Sequence, residues 1–392
     1  MSITGTFNSL TNLQKYLVVA IVALVLYAIT AGASYSVFGA LLQKSSGGLA
    51  SSVLPGPANT VDENPNEPKT EVCPLNGSMH TKAAQASWSK RRPLSVMIEN
   101  HEDARPQSGL SSADIVYEAV AEGGITRFMA TFYCNLGDVQ VGPVRSARTY
   151  FLDFQGEYNS LYAHVGGANT PGPANALQQI ITYGVKDLNQ FNIGFPTYWR
   201  DYQRLGHEVA TEHTMYSTTQ KLWDIGAKRS WTNVDEDGIA WDKNFVVWKF
   251  KDDSPNKGTT VDIRVPFWQN QPSYDVEWKY DSSCNCYKRI NGGSPHIDFD
   301  NKQQLSPKNV IIQFEDESHA NDGYENNQHL LYRTTGSGKA LIFQDGKVTV
   351  GKWMKLSRVA RTKYVDSTGS EIQFNRGQIW IQTLPTGNDV KY

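Results

Sequence analysis

Charged residues are scarce in this sequence, and neither sign predominates. Asp, Glu, Lys and Arg make up 19% of the 392 residues, below the roughly 25% of average soluble domains, and the formal net charge is −2. Binding to nucleic acid requires clustered positive charge that displaces counterions from the phosphates. We therefore expect no nucleic-acid partner. Hydrophobic residues reach 40%, which excludes disorder of the whole chain.

Familiar catalytic and phosphate-binding motifs are also missing. The sequence contains no G-x-S-x-G nucleophile turn and no H-E-x-x-H zinc motif. The run Thr335-Gly-Ser-Gly-Lys-Ala340 lacks the earlier glycine and the following Ser or Thr of a phosphate loop. We expect this run to be a hairpin turn. The sequence alone thus names no reaction.

Cysteine is rare, with four residues at Cys73, Cys134, Cys284 and Cys286. Cys284 and Cys286 with the distant His296 offer too few ligands for a structural zinc site, so we expect no metal and no cofactor. Outside the cytoplasm these cysteines can be oxidised, and four cysteines allow three pairings. The sequence does not choose between them, although a local Cys284–Cys286 bond would leave Cys73 to meet Cys134.

A long uncharged run follows the first 15 residues. Residues 16–42 are almost wholly apolar, and about 20 such residues cross a bilayer as a helix. The run predicts a single transmembrane helix, with a short segment (1–15) before it and a Ser-, Gly- and Pro-rich flexible linker (43–72) after it. A cleaved signal peptide, with small residues at Ala31-Gly-Ala33, and a buried core helix are the alternatives.

Residues 73–235 mix strand and helix signals, which predicts an α+β domain around a central sheet. Short β-branched or aromatic runs predict strands at residues 94–98, 115–117, 128–133 and 161–165. Apolar spacing and end signals predict helices over residues 147–158, over residues 174–183 with a stop at Gly184, and from Ser217 to about Gly226.

Helical periodicity disappears after Trp241, so residues 236–392 are predicted to form a β-rich second domain. The expected strands cover residues 245–250, 261–265, 276–280, 310–314, 340–344 and 379–383. Asp345-Gly346 between two apolar runs is the strongest hairpin signal in the chain.

Several segments together resemble the YerB-like family of bacterial envelope proteins. They include Arg92-Pro-Leu-Ser-Val-Met-Ile-Glu-Asn-His101, Ala104-Arg-Pro-Gln-Ser-Gly-Leu110, Glu122-Gly-Gly-Ile-Thr-Arg127, Gly142-Pro-Val-Arg-Ser-Ala-Arg148 and Glu212-His-Thr-Met-Tyr216. The resemblance implies a mixed α/β N-terminal domain, a β-rich C-terminal domain and attachment to the outer side of the cell membrane. It supplies no catalytic residues, because the family has no assigned function. Its familiar member is similar to a lipoprotein, but no cysteine lies near the end of this apolar run, so the helix is the expected anchor.

The segment Gly142–Arg148 has the best chemistry for binding an anion. Ser146 is expected to cap the following helix, and Arg145 and Arg148 would hold phosphate or carboxylate bidentately beside the helix N-terminus. His164-Val-Gly-Gly167 is expected to bring further N–H groups nearby. In the alternative interpretation the two arginines form ion pairs with Glu118, Glu122 or Asp153.

Other polar residues complete the candidate ligand-binding set. Glu118, Glu122, His164 and His213 are the acid or base groups available if the protein is an enzyme. Hydrogen bonds at strand ends are expected from Asn100, Arg105 and Thr126, and Arg127 lies in the same family segment.

Three functional hypotheses follow from these residues. We expect a membrane-tethered extracytoplasmic protein that binds an anionic envelope ligand. The alternatives are a hydrolase or transferase acting on cell-wall glycan or a phosphorylated lipid through Glu118 or Glu122 with His164, and a domain that docks a protein partner. A glycan could also stack on exposed aromatics, for which the candidates are Trp241, Trp248, Trp278, Trp353 and Trp380. The sequence leaves the oligomeric state open.

Overall fold

Strands make up most of the regular structure. The computed structural model describes Thr11 and residues 66–392, and the statements below refer to that part of the chain. Its helices are α1 (Lys82–Trp88), α2 (Thr149–Gly156), α3 (Ala176–Thr182), α4 (Gln190–Ile193) and α5 (Thr219–Lys228). Single 3₁₀ turns span Glu102–Ala104, Leu110–Ser112, Thr211–His213, Pro272–Tyr274 and Glu325–Asn327.

The strands fall into two halves of the sequence. The N-terminal half contains β1 (Glu71–Val72), β2 (Met79–His80), β3 (Leu94–Glu99), β4 (Ile115–Glu122), β5 (Ile125–Phe132), β6 (Gln140–Val141), β7 (Leu161–His164), β8 (Lys186–Asn189), β9 (Trp199–Arg200) and β10 (Met215–Thr218). The C-terminal half contains β11 (Phe250–Lys251), β12 (Asp262–Val265), β13 (Val276–Asp281), β14 (Cys286–Asn291), β15 (Ser294–Pro295), β16 (Asn309–Glu315), β17 (Glu317–His319), β18 (Leu330–Tyr332), β19 (Gly336–Gln344), β20 (Lys347–Lys355), β21 (Lys363–Val365), β22 (Phe374–Asn375) and β23 (Ile379–Pro385).

Strands of both halves share one mixed sheet of ten strands. Their order is β21-β20-β19-β16-β23-β4-β5-β3-β7-β8. The two halves meet where β23 runs parallel to β4, with Gln382 beside Glu118, and we call this pair of strands the seam. The last strand of the chain therefore completes the sheet that the first half begins.

The central strands are covered on both faces. Every residue of β3 and β16 is buried, as expected for strands that pack on two sides. On one face of the seam, Tyr117 stacks on Phe154 of α2, with ring centroids 4.8 Å apart. On the other face, Trp380 packs edge-on against Trp278 from the antiparallel sheet β12-β13-β14-β15. This second face carries Glu118, because successive side chains of a strand point to opposite sides.

The helix and strand signals of the N-terminal half predicted most of its elements. The four strands predicted there lie in β3, β4, β5 and β7, and the helix expected at residues 147–158 is α2. Asn175 caps α3, whose end is followed by Gly184 at a positive φ of 60°. Thr218 caps α5, which continues two residues past Gly226. A Cβ at Gly226 would lie 2.5 Å from Leu161, so this glycine allows close packing on β7 and does not end the helix.

Two predictions in the C-terminal half are wrong. Residues 245–249 form no strand, and only Phe250 begins the short β11. Trp248 is instead held outside any strand by a hydrogen bond that its indole N–H donates to the Thr362 carbonyl at 2.7 Å. The glycine-rich run expected as a turn begins β19, because Gly338 leaves room for the Trp353 indole above it. The Asp345-Gly346 hairpin between β19 and β20 is confirmed.

The predicted N-terminal membrane anchor lies outside the described residues. Residues 1–15, except Thr11, and residues 16–42 lie outside the described residues, as does the predicted linker up to residue 65. Residues 71–72, assigned to the linker, form β1. Among the residues that are described, no helix has the length and apolar character needed to span a membrane.

Of the three possible cysteine pairings, the structure has the one that contains the local Cys284–Cys286 bond. Cys73 is bonded to Cys134, and Cys284 is bonded to Cys286. The first bond joins the beginning of the described chain to the loop after β5 and closes a separation of 61 residues, whereas the second closes a separation of 2 residues. The longer loop restricts the unfolded chain more strongly, so the first bond contributes more to stability.

Removal of the two disulfides should lower the unfolding free energy by different amounts. We expect the double variant Cys73→Ser/Cys134→Ser to lose about 4 kcal/mol of unfolding free energy from loop entropy alone. The matched double variant Cys284→Ser/Cys286→Ser should lose about 1–2 kcal/mol. Chemical denaturation of the full-length chain measures both values. Equal losses would contradict this ranking.

Candidate functional site

An open pocket of about 630 Å³ lies where the chain after β6 meets the end of β7. We call it the Arg145 pocket. Its lining consists of residues 144–146, residues 165–167, Asn169, Leu177, Phe191, Arg200, Thr211, Glu212 and Met215. Two backbone hydrogen bonds hold the first two segments side by side, from Val165 N–H to the Arg145 carbonyl and from Ala147 N–H to the Gly166 carbonyl, each 3.0 Å long. The arginine segment and the glycine turn singled out in the sequence are thus neighbours.

Hydrogen-bond donors without partners collect at this pocket. Arg145 Nε donates to Glu99 Oε1 at 3.0 Å, whereas its two terminal nitrogens have no hydrogen-bond partner among the described residues. Within the same part of the chain, the Ser146 hydroxyl and the N–H groups of Ser146 and Gly167 also lack a partner. A guanidinium fork beside free N–H groups can recognise phosphate or carboxylate.

Glu99 links the pocket to a buried histidine. Its other oxygen, Oε2, accepts a hydrogen bond from His213 Nδ1 at 2.8 Å. Burial opposes ionisation of Glu99, but the hydrogen bond from His213 and the charge of Arg145 outweigh it, so the pKa of this carboxyl lies below its usual value. The same hydrogen bond, opposed by partial burial, raises the pKa of His213. The carboxylate of Glu99 therefore orients both Arg145 and His213.

Two groups of potential metal ligands occur among the described residues, namely Cys73 with Asp114 and Cys134, and His101 with Asp103 and His213. The first cannot act through thiolates because both cysteines are disulfide-bonded. In the second, the two imidazoles stack 4.7 Å apart at an angle of 17°. Imidazole lone pairs lie in the ring plane, so two nearly parallel stacked rings cannot both point at one ion. We assign no metal site.

The helix-start interpretation of Ser146 and Arg148 is wrong. The N-cap residue of α2 is Arg148, without a side-chain cap, and Ser146 lies two residues earlier. Arg148 forms an ion pair with Glu122, and Arg127 lies 3.9 Å from the same carboxylate while donating to the Ser146 carbonyl at 2.9 Å. Arg145 and Arg148 therefore engage different carboxylates. The ion-pair alternative correctly named Glu122 as the partner of Arg148.

Four other candidate residues form a buried polar network beside the seam. Glu118 Oε1 accepts from Arg289 at 2.7 Å and from Thr126 at 3.1 Å, and its Oε2 accepts from Trp380 and Gln382 on β23. The same network continues to Asn100, which donates to Thr126 and accepts from Arg105. Because Glu118, Thr126 and Asn100 have no exposed surface, the network holds the two halves together and offers no open binding site.

The network also fixes the hydrogen position on His296. Arg289 Nε donates to His296 Nδ1 at 2.9 Å, so the ring proton resides on Nε2 and is donated to Gln107 Oε1. Burial, with the nearby charges of Arg289 and Arg105, lowers the pKa of His296 well below its usual value, in agreement with a neutral ring. This histidine is therefore a structural bridge between β14 and the loop after β3.

The acid and base groups of the enzyme hypothesis do not share an accessible cleft. His164 has no exposed surface, and its nitrogens bond to the Gly166 carbonyl at 2.7 Å and to Asp187 at 2.8 Å. Glu118 is enclosed by the network at the seam. Neither side chain is exposed to a substrate. Glu122, the other carboxylate of this hypothesis, is partly exposed but ion-paired with Arg148, so the arrangement gives the hydrolase or transferase alternative no support. The five candidate tryptophans are also buried in the core and form no platform for a sugar.

Comparisons with known proteins agree with this architecture. Residues 80–232 match the N-terminal domain, and residues 263–381 the C-terminal domain, of a protein of unknown function, DUF3048. The chain belongs to the DUF3048 family. It is 30% identical over 327 residues to the Bacillus subtilis protein named "Putative lipoprotein YerB", covering 83% of this chain and 89% of that protein. The crystal structure of YerB from Bacillus subtilis is similar with a TM-score of 0.68 and 26% identity, covering 82% of this chain and all of that one. The YerB-like resemblance is confirmed.

Sequence reasoning missed several residues of the pocket in this DUF3048 chain. Glu99 ends the apolar run of β3, and a carboxylate in that position was the available signal for a buried ion pair. Arg200 and Phe191 come from short elements between residues 189 and 200 that lack strand or helix periodicity. Their approach to Arg145 depends on the tertiary fold, so no local pattern indicates it.

The role of Glu118 in this DUF3048 fold can be tested by removing its charge. We expect Glu118→Ala to lose about 3–5 kcal/mol of unfolding free energy, because it leaves the Arg289 guanidinium buried without its carboxylate. As a control, Asp316→Ala removes the partner of the exposed Arg333 and should destabilise the protein far less than Glu118→Ala, because water screens an exposed ion pair. Urea denaturation of the full-length chain measures both. Similar costs for the two variants would contradict a structural role for the network.

Proposed function

We propose that this protein is anchored to the membrane by residues 16–42, faces the outside of the cell and binds an anionic envelope ligand in the Arg145 pocket. Family membership supports an envelope protein, since the name of the Bacillus subtilis relative describes a lipoprotein. Both disulfides are consistent with an oxidising compartment. The absence of charged residues from the N-terminal run supports the anchor.

The free guanidinium edge of Arg145 is the observation that carries the ligand proposal. Glu99 engages only Nε, so both terminal nitrogens remain available for two parallel hydrogen bonds to one anion. The Glu99 side chain is itself buried and held by His213, which fixes the guanidinium in place before a ligand arrives. Such preorganisation lowers the entropy cost of binding.

The electrostatic balance of the pocket also favours an anion. Arg145 and Arg200 line it, and the negative charge of Glu99 is shared between Arg145 and a histidine whose pKa is raised. Glu212 is the one carboxylate in the pocket lining. Because the unpartnered Arg145 nitrogens and the N–H groups of Ser146 and Gly167 are donors, a phosphate or carboxylate satisfies them better than a cation does.

Substitution of Arg145 tests the proposal directly. Isothermal titration of the full-length chain with inorganic phosphate, and separately with acetate, should show binding that Arg145→Ala weakens by about 10- to 100-fold, the value of charge-assisted hydrogen bonds. Arg145→Lys keeps the charge but loses the two-pronged guanidinium, so its affinity should lie between those of the unchanged protein and Arg145→Ala. The control Arg333→Ala removes an exposed arginine that pairs with Asp316 and should bind as the unchanged protein does.

A negative outcome of this titration is equally clear. Binding that is unaffected by Arg145→Ala would refute the pocket as the anion site. The absence of any binding heat with phosphate and with acetate at millimolar concentration would refute the binding proposal as a whole.

The predicted location has its own test. After fractionation of cells that express the full chain, we expect the protein in the membrane fraction, with residues 73–392 degraded when protease is added to intact protoplasts. The anchor and the outward orientation require both results. Recovery of the full-length protein in the soluble cytosol would refute the location.

A further inference from the structure

We propose that the ligand of the Arg145 pocket is an amphiphile in which a phosphate or carboxylate group is joined to an apolar chain. This inference rests on the proposed anion site and goes beyond it by naming the class of molecule. It is derived from the apolar part of the pocket, which an inorganic anion would leave unused.

The walls beyond the arginine are apolar. Val144, Val165, Leu177, Phe191 and Met215 line the same pocket as Arg145. A pocket with apolar walls and one group of converging polar donors suits a ligand with an apolar body and a polar end. Its volume of about 630 Å³ exceeds the space that a bare phosphate fills and lies in the range of organic ligands.

Exposed apolar side chains lie on the two segments that bring Phe191 and Leu177 to the pocket. The Phe191 side chain is 73% exposed although it lines the pocket, and Phe195, four residues later, is 84% exposed. Ile181 is 74% exposed and follows Leu177 by four residues on α3, so both lie on one face of that helix. Exposed apolar side chains on the segments that line a concave site are typical of a place where an apolar partner binds.

Phe191 belongs to the apolar walls of the pocket and lies beside its hydrogen-bond donors. A Cβ at Gly166 would lie 3.0 Å from Phe191 Cε2, so the aromatic ring covers the glycine turn that borders the free N–H of Gly167. An anionic group held by Arg145 and this N–H therefore lies beside an aromatic wall. A chain attached to the anionic group can leave along Phe191 toward the exposed apolar surface.

The probes in the test separate the charge from the tail. The full-length chain is placed in phosphatidylcholine nanodiscs and titrated with inorganic phosphate, with decyl phosphate below its micelle concentration and with decyl maltoside, against empty nanodiscs as the blank. We expect decyl phosphate to bind at least about tenfold more tightly than inorganic phosphate, because each buried methylene adds affinity. Decyl maltoside, which has the tail without the anion, should bind far more weakly than decyl phosphate.

Variants then assign the tail contact. Phe191→Ser should weaken decyl phosphate binding about fivefold, more than it weakens inorganic phosphate binding, whereas Phe191→Leu should retain most of the affinity for decyl phosphate. The control Leu356→Ser changes a side chain of the C-terminal half that is 91% exposed and should alter neither. Arg145→Ala should weaken both phosphate probes.

The outcomes distinguish the two proposals. Equal affinities for inorganic phosphate and decyl phosphate, or equal behaviour of Phe191→Ser and the unchanged protein, would overturn the amphiphile while leaving the anion site intact. Decyl maltoside binding as tightly as decyl phosphate, with no effect of Arg145→Ala, would overturn the anion site and the amphiphile together.

Discussion

The contact between Glu118 and Arg289 is the constraint around which the described body is built. Both side chains are fully buried, and the carboxylate is also bonded to Trp380 and Gln382 from the last strand. Two charges removed from water are tolerated only when each is paired and hydrogen-bonded. The pair therefore requires β4, β14 and β23 to be in place at once. A second buried carboxylate, Glu157, is bonded to Lys355 and Arg361 of the C-terminal half in the same way.

Local patterns in the sequence predicted much of the secondary structure, but the connection between the halves was beyond them. Apolar runs such as residues 94–98 and caps such as Asn175 act over a few neighbours, and these predictions were successful. The pairing of β23 with β4 joins residues more than 260 positions apart, for which one sequence contains no periodic signal. Glycine was also ambiguous, since Gly184 follows a helix end whereas Gly226 lies inside a helix against Leu161.

The candidate site shows the same division. The sequence drew attention to Arg145, Ser146 and the turn at residues 166–167 through their chemistry, and the fold brings them to one pocket. It could not distinguish them from Asn100, Glu118 and Thr126, because the same residue types serve a buried network when they lie beneath a second sheet. Exposure, not residue type, separates the two sets. Glu99 shares features of both sets, since it is buried and yet orients Arg145 at the pocket.

The position of β23 has a consequence for how the protein is made. The sheet of the N-terminal half has a bare edge at β4 until residues 379–385 arrive, and a bare edge can pair with the strands of other molecules. Ribosomes release the C-terminal residues last, so the chain passes through synthesis with this edge uncovered. Any factor that shields nascent chains would therefore act on this edge from the synthesis of β4 until β23 pairs with it.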